Sequence, residues 1–442
     1  MKEAPRLNWF PGRALLAFRR DGLGFLAGVA REHGDAVRID AGGERFLFVN
    51  QPDLIHEVLV VQHRGFTKGR ALEQARDFLG QGLLTSEGEL HRRQRLLIQP
   101  GFHRQYVAGH AAAMVEVATR ERDGWRDGED RDLHRDLTEL TLRVGARCLF
   151  DSPLESEADE ASRAFTQAME TFPFFGLPFS RVLFRLPLPP VRRYWRARAR
   201  LADTVQRLID ERRASAAQRP DVLSMLIRLQ HDDGTGMSDE QLRDEVMTLF
   251  LAGHETIANG LAWTFYLLAQ RPEVDRRAHT QLREVVGDGL PSAEHVARLD
   301  YVERVFAESM RLFPPVWAFG RRAIEDCEVG GYRVGKRTIV FGCQWVMHRD
   351  PRYYPDPLVF DPERFTPEAR ATRPRFAYFP FGGGPRQCIG EGFAWLEGVL
   401  VLAILLQRFA VRLRPRPPVV PWPLLTLRPR YGLPVRLEQR SS

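Results

Sequence analysis

Cys388 stands in FGGGPRQCIG, residues 381–390, a glycine-rich loop with an arginine close by and an apolar helical segment just after it. Cysteine thiolate is a soft, strongly donating metal ligand, and neighbouring cations or a helix N-terminus lower a thiol's pKa and favour that form. Gly382, Gly383 and Gly384 permit positive φ or close backbone approach, and Arg386 brings charge, so the loop is expected to hold Cys388 as a thiolate. Glu308 and Arg311 in ESMR are spaced i, i+3 and share one helix face. In AGHET, residues 252–256, Glu255 and Thr256 set an acid beside a hydroxyl, a pair able to hold water and pass protons. His254 and Glu255 also open a zinc-protease pattern, but that pattern needs a second histidine where Ala258 stands. His91 and Arg95, four residues apart in EGELHRRQRLLIQPGF, suit two donors to one anionic edge.

Together these stretches resemble the motifs of the cytochrome P450 family, in the family's order and over nearly the whole chain. FGGGPRQCIG matches Phe-x-x-Gly-x-Arg-x-Cys-x-Gly, the family's haem-binding signature. The resemblance implies Cys388 as the axial ligand on the iron of haem b (iron protoporphyrin IX). Phe381 would pack on the sulfur side and Arg386 would reach a propionate. Gly384 and Gly390 would allow the tight turn and close passage under the porphyrin. A thiolate ligand pushes electron density onto iron and favours O–O cleavage. Glu308 and Arg311, joined by Arg364 of DPERF, would form a buried network under the haem loop.

AGHET resembles the family's oxygen-activating segment, with Gly253 leaving room and locally widening the helix, and Thr256 and Glu255 delivering protons. Ile257 stands where a second hydroxyl is common. His91 replaces the commoner tryptophan beside Arg95, both toward propionates. Arg321 takes a further propionate position, with Arg322 leaving that register open. Arg92 and Arg93 are expected to be solvated or to face a protein partner. The distal pocket is expected to draw on Phe78, Leu79, the TFPFFGLPFS loop, Ala252, Val316 and Trp317.

Elements must position these groups, and helical periodicity dominates from about residue 87 to 313. MSDEQLRDEVMTLFLAGHETIANGLAWTFYLLAQRP opens with Ser238 and Gln241 in capping-box spacing and ends at Pro272, which predicts one helix across the molecule. DYVERVFAESMRLFPP predicts a second, with Asp300 and Glu303 as its capping box and Pro314 and Pro315 as its stop. REHGDAVRIDAGGERFLFVNQPD alternates around a glycine turn and reads as a hairpin, while EVGGYRVGKRTIVFGCQWVMH and LLTLRPRYGLPVRL read as short strands. The fold expected is mainly α with small β-sheets, a long central helix over the haem and the cysteine loop beneath it. It forms a single haem domain over residues 1–442, with a β-rich lobe at roughly 30–70 plus the C-terminal strands, and an α-rich lobe at roughly 87–313 and 388–410.

The 442 residues allow a large core, and 44% hydrophobic with 27% charged residues is ordinary for a globular protein. The net charge of +7 comes almost wholly from scattered arginines, with no basic run interleaved with aromatics, so nucleic acid is not expected. Four cysteines without a C-x-x-C pair fit reduced thiols in a cytoplasm. FAWLEGVLVLAILLQRF carries Glu397 and reads as a buried core helix, and neither a signal peptide nor a membrane anchor is expected. The resemblance implies a monomeric haem-thiolate monooxygenase. It would insert one atom of O2 into a C–H or C=C bond of a fatty acid, terpenoid or polyketide. Electrons would start from NAD(P)H and arrive through a ferredoxin or flavodoxin and a reductase, since the chain shows no flavin module or clustered cysteines. The alternatives are a peroxygenase, isomerase or dehydratase of the same fold, and a non-enzymatic haem sensor; the Glu255–Thr256 pair argues against peroxide dependence and against the sensor.

Overall fold

The long periodic run becomes one unbroken helix, Asp239–Leu268, 30 residues and so about 45 Å long. The Ser238 hydroxyl accepts the Gln241 N–H at 3.2 Å, and Asp239 and Glu240 place negative charge at the helix's positive end. Its apolar residues lie on every side, as Leu242, Val246, Phe250, Leu261, Trp263 and Phe265 show, and all of them are buried. A helix apolar all round belongs in the middle of a core. Around it pack Leu133–Phe150, Pro189–Ala214 and Asp300–Leu312. This computed structural model describes residues 2–9, 12–151, 186, 188–215, 219, 221–229 and 236–440, so the TFPFFGLPFS segment lies outside the described residues.

The helix Asp300–Leu312 forms where periodicity placed it, but without the expected capping box. Leu299 is the N-cap, and Asp300 sits in the first turn, where it pairs with Arg304 at 3.0 Å. The job of a cap falls to Gln281, whose Oε1 accepts the N–H groups of Tyr301 and Val302 at 3.0 and 3.1 Å. Orphan donors at a helix start need some acceptor, and here a neighbouring helix supplies it. The apolar C-terminal helix is Glu391–Arg408. Glu397 is fully buried in it with neither carboxyl oxygen bonded, and burial drives its pKa well above the usual carboxylate range. A neutral acid is thus what interrupts the apolar run. No helix among the described residues is long and apolar enough to cross a membrane.

The expected hairpin is Ala36–Ala41 paired antiparallel with Glu44–Val49. It belongs to a five-stranded sheet completed from both ends of the chain: Glu44–Val49 pairs in parallel with Ile339–Gly342, which pairs with Phe319–Ala323, which pairs with Phe66–Lys68. The C-terminal strands do not join this sheet. Phe409–Leu413 and Pro434–Gln439 pair instead with Asp130–Asp132 on the helical side. A further hairpin, Pro421–Pro423 with Leu427–Pro429, is docked on the central helix by the Trp263 indole N–H, which donates to Leu427 O at 2.9 Å.

Candidate functional site

The loop before Cys388 is shaped by contacts that admit no side chain. Gly384 has φ +69°, and a Cβ there would lie 2.1 Å from the Leu59 carbonyl oxygen; a Cβ on Gly383 would meet the Phe376 ring at 2.6 Å. The Cys388 N–H closes the loop by donating to Phe381 O at 3.0 Å, and the Phe381 ring packs on Trp395 of the C-terminal helix at 5.9 Å. Gly390 differs: its φ is −87°, a Cβ would touch the protein only at ordinary distance, and its N–H is directed at the Cys388 sulfur.

The expected lowering of the Cys388 pKa does not occur. Burial pushes the thiol up to about 11, with the Gly390 N–H and Arg95 opposing the rise. Arg386 does not offset it, because its guanidinium turns away to His63 O at 2.9 Å, Phe66 O at 2.8 Å and the Glu87 carboxylate at 3.0 Å. Cys388 is nevertheless an exposed residue. A metal bound to it would itself deprotonate the thiol.

Beside the loop lies a cluster of basic groups. His91 is buried with its pKa pushed down to about 3 by burial and by the cations Lys68, Arg386, Arg95 and Arg321. Lys68, pushed down to about 7 by burial, donates to Leu83 O at 2.9 Å and Ser86 O at 2.6 Å. Arg321 is pushed down to about 10 by burial and Arg386, and Arg95 donates to Gln387 O at 2.7 Å. Glu87 is the carboxylate that answers this group, and it is already bonded to Arg386. The residual positive charge in a desolvated place is complementary to a dianion, as the paired propionates of haem are. Arg322 turns to Glu44 at 2.8 Å and Glu73 at 2.7 Å, whereas Arg321 stands with His91 and Arg386. Lys68 carried no signal in the sequence, since nothing in FTKG distinguishes it from a solvated lysine.

Glu308 and Arg311 meet in a fully buried bidentate pair, at 2.6 and 2.7 Å. Arg311 also donates to the carbonyls of His348, Pro357 and Val359 at 2.7, 2.8 and 3.2 Å. Arg364 approaches Glu308 at 3.6 Å, and the Asp361 N–H donates to the same Glu308 oxygen at 3.0 Å. A fork pairing with a carboxylate while bonding three carbonyls ties the helix to the meander at residues 348–364, ahead of the cysteine loop.

On the central helix, Ala252 is exposed although most of its neighbours are buried, which gives the helix an open side at that point. The Thr256 hydroxyl donates to Ala252 O at 2.9 Å. Gly253 instead backs onto the next helix, where a Cβ would lie 3.4 Å from Leu149, and the helix stays regular from 239 to 268 without the expected widening. Glu255 is buried and accepts the Thr426 hydroxyl at 2.7 Å through Oε1, while Oε2 has no partner. Burial raises its pKa, opposed by that bond and by Arg428. Ile257 is buried. Arg92 pairs with Glu89 on the surface at 2.9 Å.

The pocket residues divide. Ala252 and Val316 are exposed, whereas Phe78 and Leu79 are core, Phe78 against Tyr194 at 5.3 Å. Trp317 is anchored by its indole N–H to Leu424 O at 2.8 Å. The loop following Leu79 is clamped to the central helix: Asp244 accepts the Gln81 N–H at 2.7 Å and Glu245 accepts the Leu83 N–H at 2.8 Å. Gly82 allows this approach, since a Cβ would come 2.2 Å from the Thr248 hydroxyl.

Burial pushes Glu245 up from 4.5 to about 8. The folded chain therefore keeps a proton there that the unfolded chain loses near 4.5, so this group's stabilisation falls as pH rises through that window. Glu245→Gln is expected to flatten the pH dependence of the denaturant midpoint between about 4.5 and 8 and to raise the midpoint at alkaline pH. An unchanged slope would show that Glu245 is ionised in the fold.

The family model described as Cytochrome P450 matches residues 3–434. Cyclooctatin synthase of Streptomyces melanosporofaciens is 38% identical over 94% of this chain and 91% of its own length. Pentalenene oxygenase of Streptomyces avermitilis is 34% identical over 97% and 95%, and cyclooctat-9-en-7-ol 5-monooxygenase of S. melanosporofaciens is 36% identical over 92% and 88%. Among solved structures, the cytochrome P450DA haem domain superposes with a TM-score of 0.88 at 28% identity, covering 100% of this chain and 98% of that one.

Proposed function

The chain belongs to the cytochrome P450 family, and from that premise we propose that Cys388 holds a haem iron and that Glu255 and Thr256 deliver the protons for monooxygenation of a terpenoid. The family makes the protein a haem-thiolate monooxygenase acting on a lipophilic substrate with O2. The observation that carries the site assignment is Cys388 itself, an exposed residue at the end of the glycine loop whose sulfur faces the Gly390 N–H.

When bound, the haem supplies the redox chemistry: one oxygen atom enters the substrate and the other leaves as water, consuming two electrons and two protons. The protein's residues do the rest. His91, Arg95, Arg321 and Lys68 would bind and orient the propionate edge, His91 as a neutral donor and the others through charge held away from water. Arg386 holds the loop to Phe66 and Glu87 and adds charge behind them. Ala252 leaves space where dioxygen and substrate meet. Thr256 stands at that opening with its hydroxyl on Ala252 O, and Glu255 lies buried behind it with Oε2 unpartnered, an acid able to hold a proton for the site.

The substrate class rests on the likeness to pentalenene oxygenase and cyclooctat-9-en-7-ol 5-monooxygenase. Terpenoid alcohols and hydrocarbons should produce spin-state shifts in the haem spectrum where fatty acids of equal size do not. Electrons originate from NAD(P)H and arrive through a separate ferredoxin or flavodoxin. The four free cysteines fit a reducing cytoplasm.

Thr256→Ala tests the proton role. Haem and substrate binding should persist while product per NADPH falls on the order of tenfold or more and peroxide appears in its place. Product formation as tightly coupled as in the parent protein would remove Thr256 from proton delivery.

A further inference from the structure

Glu255 is the end of a hydrogen-bonded chain that crosses three elements far apart in sequence. The Thr426 hydroxyl donates to Glu255 Oε1 at 2.7 Å. Asn259, one turn on from Glu255 in the central helix, donates from Nδ2 to that hydroxyl at 3.2 Å. Asn259 Oδ1 in turn lies 2.8 Å from Nε2 of His134, in the first turn of Leu133–Phe150. Asn259, Thr426 and Glu255 are buried, while His134 is half-buried.

The donors all run one way. Thr426 has a single hydroxyl proton and gives it to Glu255, so it receives from the amide of Asn259. The amide oxygen of Asn259 then faces the ring, which requires the proton on Nε2 of His134. An amide does not readily pass protons, so this chain orients rather than conducts. Arg428 faces both Glu255 and His134 from the docked hairpin, and Asp132 faces His134 from the cap of its own helix.

We propose that His134, Asn259 and Thr426 are positioning residues that hold Oε1 of Glu255 and thereby set the pH at which this buried carboxyl gives up its proton. The proposal rests on Glu255 as a proton carrier. Each donor in line favours the carboxylate, so removing one should raise the pH at which Glu255 ionises.

The test follows the Glu255 carboxyl by its infrared C=O stretch in the haem-loaded, substrate-bound protein, identified as the band lost in Glu255→Gln. Thr426→Val should move that titration up by about one pH unit, a tenfold change in proton affinity, and shift the acid limb of coupling against pH equally. Thr426→Ser, which keeps the hydroxyl, should restore both. His134→Phe, at the half-buried end, should shift them the same way by less, and serves if Thr426→Val does not fold. Unmoved titration in the folded variants overturns the positioning role. Should Glu255→Gln itself leave coupling intact, the proton-carrier reading falls instead.

Discussion

Cys388→Ala is expected to abolish the red-shifted Soret band of the reduced, carbon-monoxide-bound protein and to reduce monooxygenation to background. The red shift arises from a thiolate opposite the carbon monoxide, and no other described cysteine can replace it. Cys148 and Cys343 are buried, Cys327 is half-buried in the strand Cys327–Val329, and burial drives all three thiols up, Cys343 to about 12. The basic cluster at His91, Arg95 and Arg321 does not depend on the sulfur, and haem should still associate through it with a weaker or absent proximal ligand. The variant should therefore be coloured but spectrally different. An unchanged carbon monoxide spectrum would falsify the ligand assignment.

Arg311→Leu should have the next largest effect, on the fold rather than on the chemistry. It would strip the fully buried Glu308 of its bidentate partner and leave the carbonyls of His348, Pro357 and Val359 without the donors they now use. Breaking one side of a buried pair costs about 3–5 kcal/mol. Orphaned buried acceptors add about 1–3 kcal/mol each where water cannot reach them. Against a total stability of about 5–15 kcal/mol, the outcome should be little or no haem-loaded protein on purification. Arg311→Lys keeps the charge but loses the fork, and should fall between. Arg364→Ala should cost less than either, because its guanidinium stands 3.6 Å from Glu308 and also bonds Asp356 O. An Arg311→Leu denaturant midpoint close to that of the parent would show that the pair contributes specificity rather than stability.

Much of this was legible from residue types and spacing. The central helix and the hairpin at residues 36–49 follow from periodicity and glycine turns, which act within a few residues of chain. The i, i+3 spacing of Glu308 and Arg311 guaranteed that they could meet, though not that they would be buried. Other outcomes depended on distant partners. Asp300 lost its cap role to Gln281, and Gly253 turned to Leu149 on the next helix instead of widening its own. Arg386, inside the loop and two residues from Cys388, is held instead by Glu87 and the backbone at residues 63–66.

Residue identity and local spacing settle the chemistry available: a cysteine in a glycine-rich loop, an acid beside a hydroxyl in a long apolar helix, and a large apolar core. Those depend on residue identity and short-range geometry. Only the tertiary structure decided the electrostatic state of each group. Cys388 is raised rather than lowered, Lys68 joins the cations around His91, and Glu255 is bonded through Thr426 and Asn259 to a histidine more than a hundred residues away in sequence. Desolvation and charge–charge terms depend on distance in space, and in a buried site the groups that set them come from every part of the chain.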